Sequence, residues 1–241
     1  MTMARSSEEG SNPMEQCTTE QSWLRHTWTF ENILNGLPGP GTPAFAALAR
    51  DLRSYGLSPS GITLDSPSSS LADVSWRITL LEGERAVLRI CYGFFEIAIN
   101  YLSDGDDKAF DEILAIVTRS LAMLDPDSEK GRAKIFMGAH ITLSASDPET
   151  FLQRHLMVIG ENSLSPDSFY YKLVSPGSTQ AESMRIGVTR SLAFDNALYV
   201  ELTADYNTHV AADQVGERFE ADAKNIFALL GLEPRSKGKV D

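Results

Sequence analysis

The stretch AKIFMGAHITL at residues 133–143 decides the fold class of this chain. Apolar side chains occupy every second position from Ile135 to Leu143, and Phe136 and His140 fall between them. Alternation with a period of two residues is typical of a strand that buries one face. We therefore predict a strand here, with Phe136 and His140 on the face opposite the core.

The same alternation appears on both sides of this stretch. Upstream it covers residues 74–80 and resumes at Leu88, and the phase of the apolar residues then flips at Gly93. A flip at a glycine predicts one long bent strand or two strands. Together with the shorter segments downstream, the predicted strands are 74–80, about 88–99, 133–143, 169–174, 184–189 and 197–205.

Helical spacing of apolar residues predicts helices between these strands. Two of them have a clear start, because Thr42 and Asp147 are good N-cap residues and each is followed by a proline at the first helical position. The predicted helices cover 43–55, 104–124, 147–159 and about 210–230.

Strands joined by short hairpins favour an antiparallel sheet over a parallel one, which needs a long crossover between strands. We predict an α+β protein: a two-layer antiparallel sheet with long amphipathic helices packed on one face. The hairpin-then-helix order of 74–124 recurs at 169–230, which favours two similar halves. The hexapeptide VTRSLA also occurs twice, at 117–122 and 188–193, but its spacing does not fit such a repeat.

No motif identifies a family. In the order of its elements, antiparallel strands followed by long helices, the chain resembles the two-layer sheet of the SecB export chaperone. This resemblance concerns fold alone, and no residue is carried over from it.

The ends of the chain are polar. Residues 1–21 are rich in Ser, Glu, Thr and Gln, so ordering them would cost entropy that no burial offsets. We predict a disordered N-terminal tail at 1–21, a single globular domain at 22–232 and a flexible C-terminal tail at 233–241.

Composition excludes several classes of protein. The chain has 241 residues, of which 42% are hydrophobic and 22% charged, and its formal net charge is -12. So acidic a molecule repels polyanions, so we expect no nucleic-acid partner and no binding to an anionic membrane. No apolar run approaches the ~18 residues of a spanning helix, and the polar start lacks the hydrophobic stretch of a secretory signal. We therefore expect a cytoplasmic location.

Cysteines, histidines and tryptophans give little sign of chemistry. Cys17 and Cys91 cannot build a disulfide framework, and we interpret Cys91 as an inert packed thiol. The four histidines lie on different predicted elements, so we expect no metal site, and no cofactor motif is present. Trp23, Trp28 and Trp76 accompany apolar stripes and are interpreted as core residues.

The parity of the strands defines the candidate site residues. Side chains opposite the apolar positions would share the second face of the sheet, which can be a solvated surface, a self-association surface or a ligand groove. These candidates are Arg77, Arg89, Phe136, His140, Arg185, Tyr199 and Glu201.

Three functions are compatible with this face. The preferred one is a non-catalytic binding or interaction module that uses the open sheet face or a strand edge to bind a protein partner or a small ligand, and that forms homo-oligomers. The alternative is a small-molecule enzyme with an acid/base site at His140, Arg89 and Glu201, in which the imidazole moves a proton and the guanidinium holds an anion. The third is a purely structural subunit or an interaction adaptor whose disordered N-terminus contacts the partner.

Overall fold

The computed structural model describes residues 14–65, 74–100, 106–155, 168–174, 181–207 and 211–234. Within these ranges the chain forms ten strands and four α-helices, with short 3₁₀ turns between some of them. The strands are β1 (Glu15–Phe30), β2 (Ile62–Asp65), β3 (Ser75–Leu80), β4 (Ala86–Cys91), β5 (Phe94–Asn100), β6 (Gly131–Leu143), β7 (Ser168–Val174), β8 (Ser183–Arg190), β9 (Ala197–Tyr206) and β10 (Leu232–Pro234). The helices are α1 (Pro43–Asp51), α2 (Asp106–Leu124), α3 (Pro148–His155) and α4 (Val215–Leu229).

All ten strands belong to one sheet, in the order β2-β3-β4-β5-β1-β6-β9-β8-β7, with β10 paired to the start of β1. Every pair is antiparallel except β1 with β10, which is parallel. The α+β prediction is confirmed. The two longest strands, β1 and β6, lie side by side in the middle of the sheet, so each is covered by neighbours on both edges.

The four helices pack on the same face of the sheet. Their contact residues share the parity of the buried strand positions, and Ile135, Ile141 and Val200 on that face are fully buried. The helix-to-sheet contacts include Phe45 of α1 with Trp76, Phe110 of α2 with His26, His155 of α3 with Phe169, and Asp222 of α4 with Tyr206.

The helices are of unequal length. Helix α2 has 19 residues and α4 has 15, whereas α1 has nine and α3 has eight. The prediction of long helices is therefore not confirmed for the set, because α1 and α3 are short. Helix α1 begins as predicted, because the side chain of Thr42 accepts a hydrogen bond from the Phe45 N–H at 3.2 Å and Pro43 takes the first helical position.

The phase flip at Gly93 marks a hairpin. Strands β4 and β5 are separate and are joined through Tyr92 and Gly93, and Ile90 lies opposite Phe95. Because the chain reverses direction at a two-residue turn, even positions of β4 and odd positions of β5 face the same side. Of the two alternatives, two strands is the correct one.

The predicted N-terminal tail is wrong in its second part. Strand β1 begins at Glu15, where the carboxylate accepts hydrogen bonds from the N–H groups of Ala145 and Ser146. Cys17 is 1% exposed, so it belongs to the core. A strand with partners on both edges satisfies its backbone whatever its composition, which is why this polar segment is ordered. Residues 1–13 lie outside the described residues.

Two smaller expectations at the C-terminal end are also corrected. Glu233 and Pro234 belong to β10 and not to a tail, and residues 235–241 lie outside the described ranges. Helix α3 is described to His155, and the rest of its predicted span, 156–159, lies outside the described residues. No helix in the described part of the chain is both long and apolar enough to cross a membrane.

Candidate functional site

The second face of the sheet carries all seven predicted site residues. No described helix packs on this face, which we call the open face. The register divides the residues into two groups. Arg77 and Arg89 lie opposite each other on β3 and β4. The remaining five lie on β6, β8 and β9, on the other side of β1: Phe136, His140, Arg185, Tyr199 and Glu201.

The two arginines of the first group do not meet His140. Arg89 is opposite both Arg77 and Glu96, its Nε donates to the Ser75 Oγ at 3.1 Å, and its guanidinium lies 5.6 Å from the ring centre of Phe94. Strands β4 and β6 are separated by three strand spacings, about 14 Å. The structure therefore does not bring together the predicted set of His140, Arg89 and Glu201.

Four aromatic side chains cluster on the second half of the open face. His140 is opposite Tyr199, and its ring centre lies 5.2 Å from those of Tyr199 and Phe194 and 5.6 Å from that of Trp23. Trp23 and Tyr199 stack at 5.5 Å with 22° between their planes. We call Trp23, His140, Phe194 and Tyr199 the aromatic cluster. All four are half-buried, so part of each ring faces solvent.

His140 is held as a neutral imidazole. Its Nδ1 lies 2.9 Å from the Ser191 Oγ, which already accepts hydrogen bonds from the N–H groups of Ala193 and Phe194. The Ser191 hydroxyl hydrogen is therefore available for Nδ1, which makes Nδ1 the acceptor and puts the ring proton on Nε2. Burial lowers the pKa of His140, because desolvation disfavours the charged imidazolium.

Tyr199 connects the aromatic cluster to a carboxylate. Its hydroxyl donates to the Glu201 Oε2 at 3.5 Å, and both residues point to the open face. Burial, and then the negative charge of Glu201, raise the pKa of Tyr199 to about 12. At neutral pH the aromatic cluster is thus uncharged, and the negative charge next to it belongs to Glu201.

Trp23 was predicted in the core, and this is wrong. It lies on the open face opposite Gly138, where an added Cβ would clash with the indole ring. Trp28 is fully buried as predicted, and Trp76 is half-buried against Phe45 on the helix face. The sequence feature that indicated the position of Trp23 was Gly138, because a glycine within a regular strand permits close approach of another group.

A cleft of about 650 Å³ opens beside the aromatic cluster. Three of its walls are the rings of Trp23, His140 and Tyr199, and the fourth is the end of β8 with the turn that follows it. Sequence reasoning missed this turn, which supplies Ser191 and Phe194. The volume lies within the ~300–1,000 Å³ range of small-molecule sites.

The described residues give little indication of metal binding or of a reactive cysteine. In the ranges that the structure describes, no group of three or more His, Cys, Asp or Glu side chains is arranged to hold a metal ion. Both cysteines are buried, and burial raises the pKa of Cys17 to about 11, so its thiolate is scarce at neutral pH. Comparison of the chain with family models, curated proteins and solved structures finds no match.

Proposed function

We propose that this protein is a non-catalytic binding module that takes a small ligand into the cleft beside the aromatic cluster. The observation that carries the proposal is the group of half-exposed rings of Trp23, His140 and Tyr199, which lines a cleft on a face without a described helix. A concave site lined by aromatic side chains and a few polar groups is typical of small-molecule binding sites.

The chemistry of the cleft supports binding through ring faces and a few polar groups. His140 and Tyr199 are uncharged at neutral pH, and the Ser191 hydroxyl and the two backbone N–H groups that it engages satisfy one another. Polar groups that already have partners add little new affinity, so the rings supply most of the contact area.

The proposal is tested by NMR titration of the full chain. We expect the Trp23 indole N–H and the Gly138 amide to shift saturably with at least one class of a panel of aromatic, cationic, anionic and zwitterionic small molecules. Trp23→Ala should weaken this binding at least tenfold. Phe94→Ala removes a half-buried ring from the other half of the open face, beside Arg89, and should leave the affinity unchanged.

Two results would contradict the proposal. One is the absence of a saturable shift with every class of compound. The other is a shift of the same signals with protein concentration alone, together with a light-scattering mass at a multiple of 26.5 kDa that falls in the Tyr199→Glu or Phe136→Glu variant. The second result would identify another copy of the chain as the occupant, in agreement with the homo-oligomer expected from the sequence.

The second candidate is an enzyme with its acid/base site at His140. The distance of 2.9 Å between Ser191 Oγ and His140 Nδ1 favours it, because a serine that donates to an imidazole is the arrangement of an activated nucleophile. A fluorophosphonate probe would label Ser191, and labelling would disappear in His140→Ala. Absence of labelling in the wild-type protein would favour the binding module.

We also propose two finer features. The chain consists of two similar halves, which the order of elements supports: β1 and β6 are each followed by a helix, a group of antiparallel strands and a second helix. The protein is cytoplasmic, which the two buried thiols of Cys17 and Cys91 support, because thiols persist in reducing compartments.

A further inference from the structure

One row of the open face places a carboxylate between two glycines and two rings. Across the strands β1, β6, β9, β8 and β7, the register aligns Trp23, Gly138, Glu201, Gly187 and Tyr170. An added Cβ at Gly138 would clash with the Trp23 indole, and one at Gly187 would lie 2.6 Å from the Tyr170 ring. The Trp23 ring therefore lies over Gly138 and the Tyr170 ring over Gly187, so the two rings extend toward Glu201 from opposite sides.

A third ring completes this arrangement. Tyr199 precedes Glu201 by two residues on the same face, stacks on Trp23 at 5.5 Å and donates to the carboxylate. Tyr170 lies on the other side of Glu201 from Trp23, with its ring over Gly187. We call Trp23, Tyr170, Tyr199 and Glu201 the cage.

The carboxylate of the cage has no cationic partner within the described residues. No Lys, Arg or His nitrogen in those ranges lies within 4 Å of it, whereas Glu96, another half-buried acid of the open face, has the Arg25 guanidinium at 4.0 Å and Arg89 opposite it. Glu201 itself is half-buried. A partly desolvated carboxylate without a counter-ion attracts a cation from outside, and it repels an anion.

The aromatic faces determine which cation fits. Ring faces carry the negative lobe of the quadrupole and bind cations that lose little hydration, above all methylated ammonium groups. We propose that the cage binds a methylated ammonium group, with the free faces of the Trp23, Tyr170 and Tyr199 rings against the methyl groups and Glu201 as the counter-ion. This inference names the ligand class of the proposed binding module and rests on that proposed function.

The open side of the cage agrees with this assignment. The Tyr170 side chain is 72% exposed, so the cage is reached directly from solvent. Trp23 and Tyr199 also line the cleft of about 650 Å³, so a ligand can place its cation in the cage and the rest of its structure in the cleft. Both a small molecule such as choline and a trimethyllysine side chain carry the required group.

The test is a titration of the full chain with choline, with its uncharged carbon analogue 3,3-dimethylbutanol and with ethanolamine. We expect choline to bind at least tenfold more tightly than either of the other two compounds. Glu201→Gln should weaken choline binding at least tenfold and leave the dimethylbutanol affinity unchanged. Glu96→Gln, on the same face with an arginine neighbour, is the matched control and should have no effect.

Two further arms complete the design. Titration with a trimethyllysine peptide and its unmodified form distinguishes the source of the ammonium group, and the tighter of choline and the modified peptide identifies it. Equal binding of choline and dimethylbutanol, or full choline affinity in Glu201→Gln, would overturn the cage assignment. In that case, Trp23-dependent binding of an uncharged compound would still support the binding module, whereas no binding of any compound would end both proposals.

Discussion

His26 is the residue whose environment agrees least with its chemistry. It is fully buried between Phe95 and Phe110, and neither ring nitrogen has a hydrogen-bond partner among the described residues. Burial lowers the pKa of His26 to about 3, so the folded protein keeps this imidazole neutral far below the unfolded pKa of ~6.5. The cost of an unpartnered buried polar group is about 1–3 kcal/mol.

This residue predicts an acid-dependent loss of stability. Between pH 6.5 and 3 the unfolded state binds one more proton at His26 than the folded state, so the free energy of unfolding falls as pH falls, by up to about 1.4 kcal/mol per pH unit. The His26→Phe variant should lose this contribution and show a shallower pH dependence in urea denaturation between pH 6.5 and 4.

The control for the His26→Phe variant is a substitution at Ile97, which lies opposite His26 in the sheet. Ile97→Val removes one methylene from the same buried layer and should cost roughly 0.5–1.5 kcal/mol at every pH. Identical pH slopes for the wild type and His26→Phe would contradict the burial of a neutral imidazole.

At the scale of the element, strand β1 explains why the sequence was misinterpreted. The pairing of β1 with β6 shifts register between Thr19 and Gln21, which marks a bulge at Glu20. The bulge changes parity: odd residues such as Cys17 face the core before it, and even residues such as Leu24 face the core after it. No single period-two pattern spans the strand, so an alternation search fails there.

The bulge predicts that the fold tolerates deletion of Glu20. Because Thr19 and Gln21 already oppose adjacent residues of β6, deletion of Glu20 should close the bulge and leave every core side chain in place. We expect a folded protein that has lost less than about 2 kcal/mol of stability in thermal or urea unfolding, and in which Cys17 still resists thiol reagents.

The matched deletion removes Thr27, which lies in the regular part of β1. This deletion forces a one-residue slip that moves a set of core side chains to the open face, and it should abolish folding. If the Glu20 deletion proved as damaging as the Thr27 deletion, the bulge would not be where the register places it.

Regular elements were predictable, and the aromatic site was only partly so. Strand β6, helix α2 and the cap at Thr42 follow from local pattern and chemistry, and parity placed His140, Tyr199 and Glu201 on one face. The hexapeptide VTRSLA shows the limit: at 117–122 it is part of α2, and at 188–193 it ends β8 and continues into the following turn. Tertiary packing overrides local propensity, so neither the strand order nor the meeting of Trp23 with Tyr199 could be derived locally.

At the scale of the whole molecule, the segment predicted as a tail is part of the centre of the sheet. Deleting residues 1–21 would remove the contacts of Glu15 with Ala145 and Ser146, the buried Cys17 and the pairing with β10. Since hydrogen bonds to a charged group are worth about 1.5–3 kcal/mol each, we expect a loss of more than ~3 kcal/mol in urea unfolding. Deleting residues 1–13, the control, keeps all of these contacts and should cost less stability than deleting residues 1–21.

The parallel pairing of β1 with β10 determines how late in synthesis the sheet can be completed. Glu15 and its partner Leu232 lie far apart along the chain, so Glu15 is synthesised long before Leu232. At roughly 5–20 residues per second, some 10–40 s of translation separate the two. Through that interval the first residues of β1, Glu15 to Cys17, have one edge without its partner strand. A factor that shields strand edges during synthesis would therefore act on this segment.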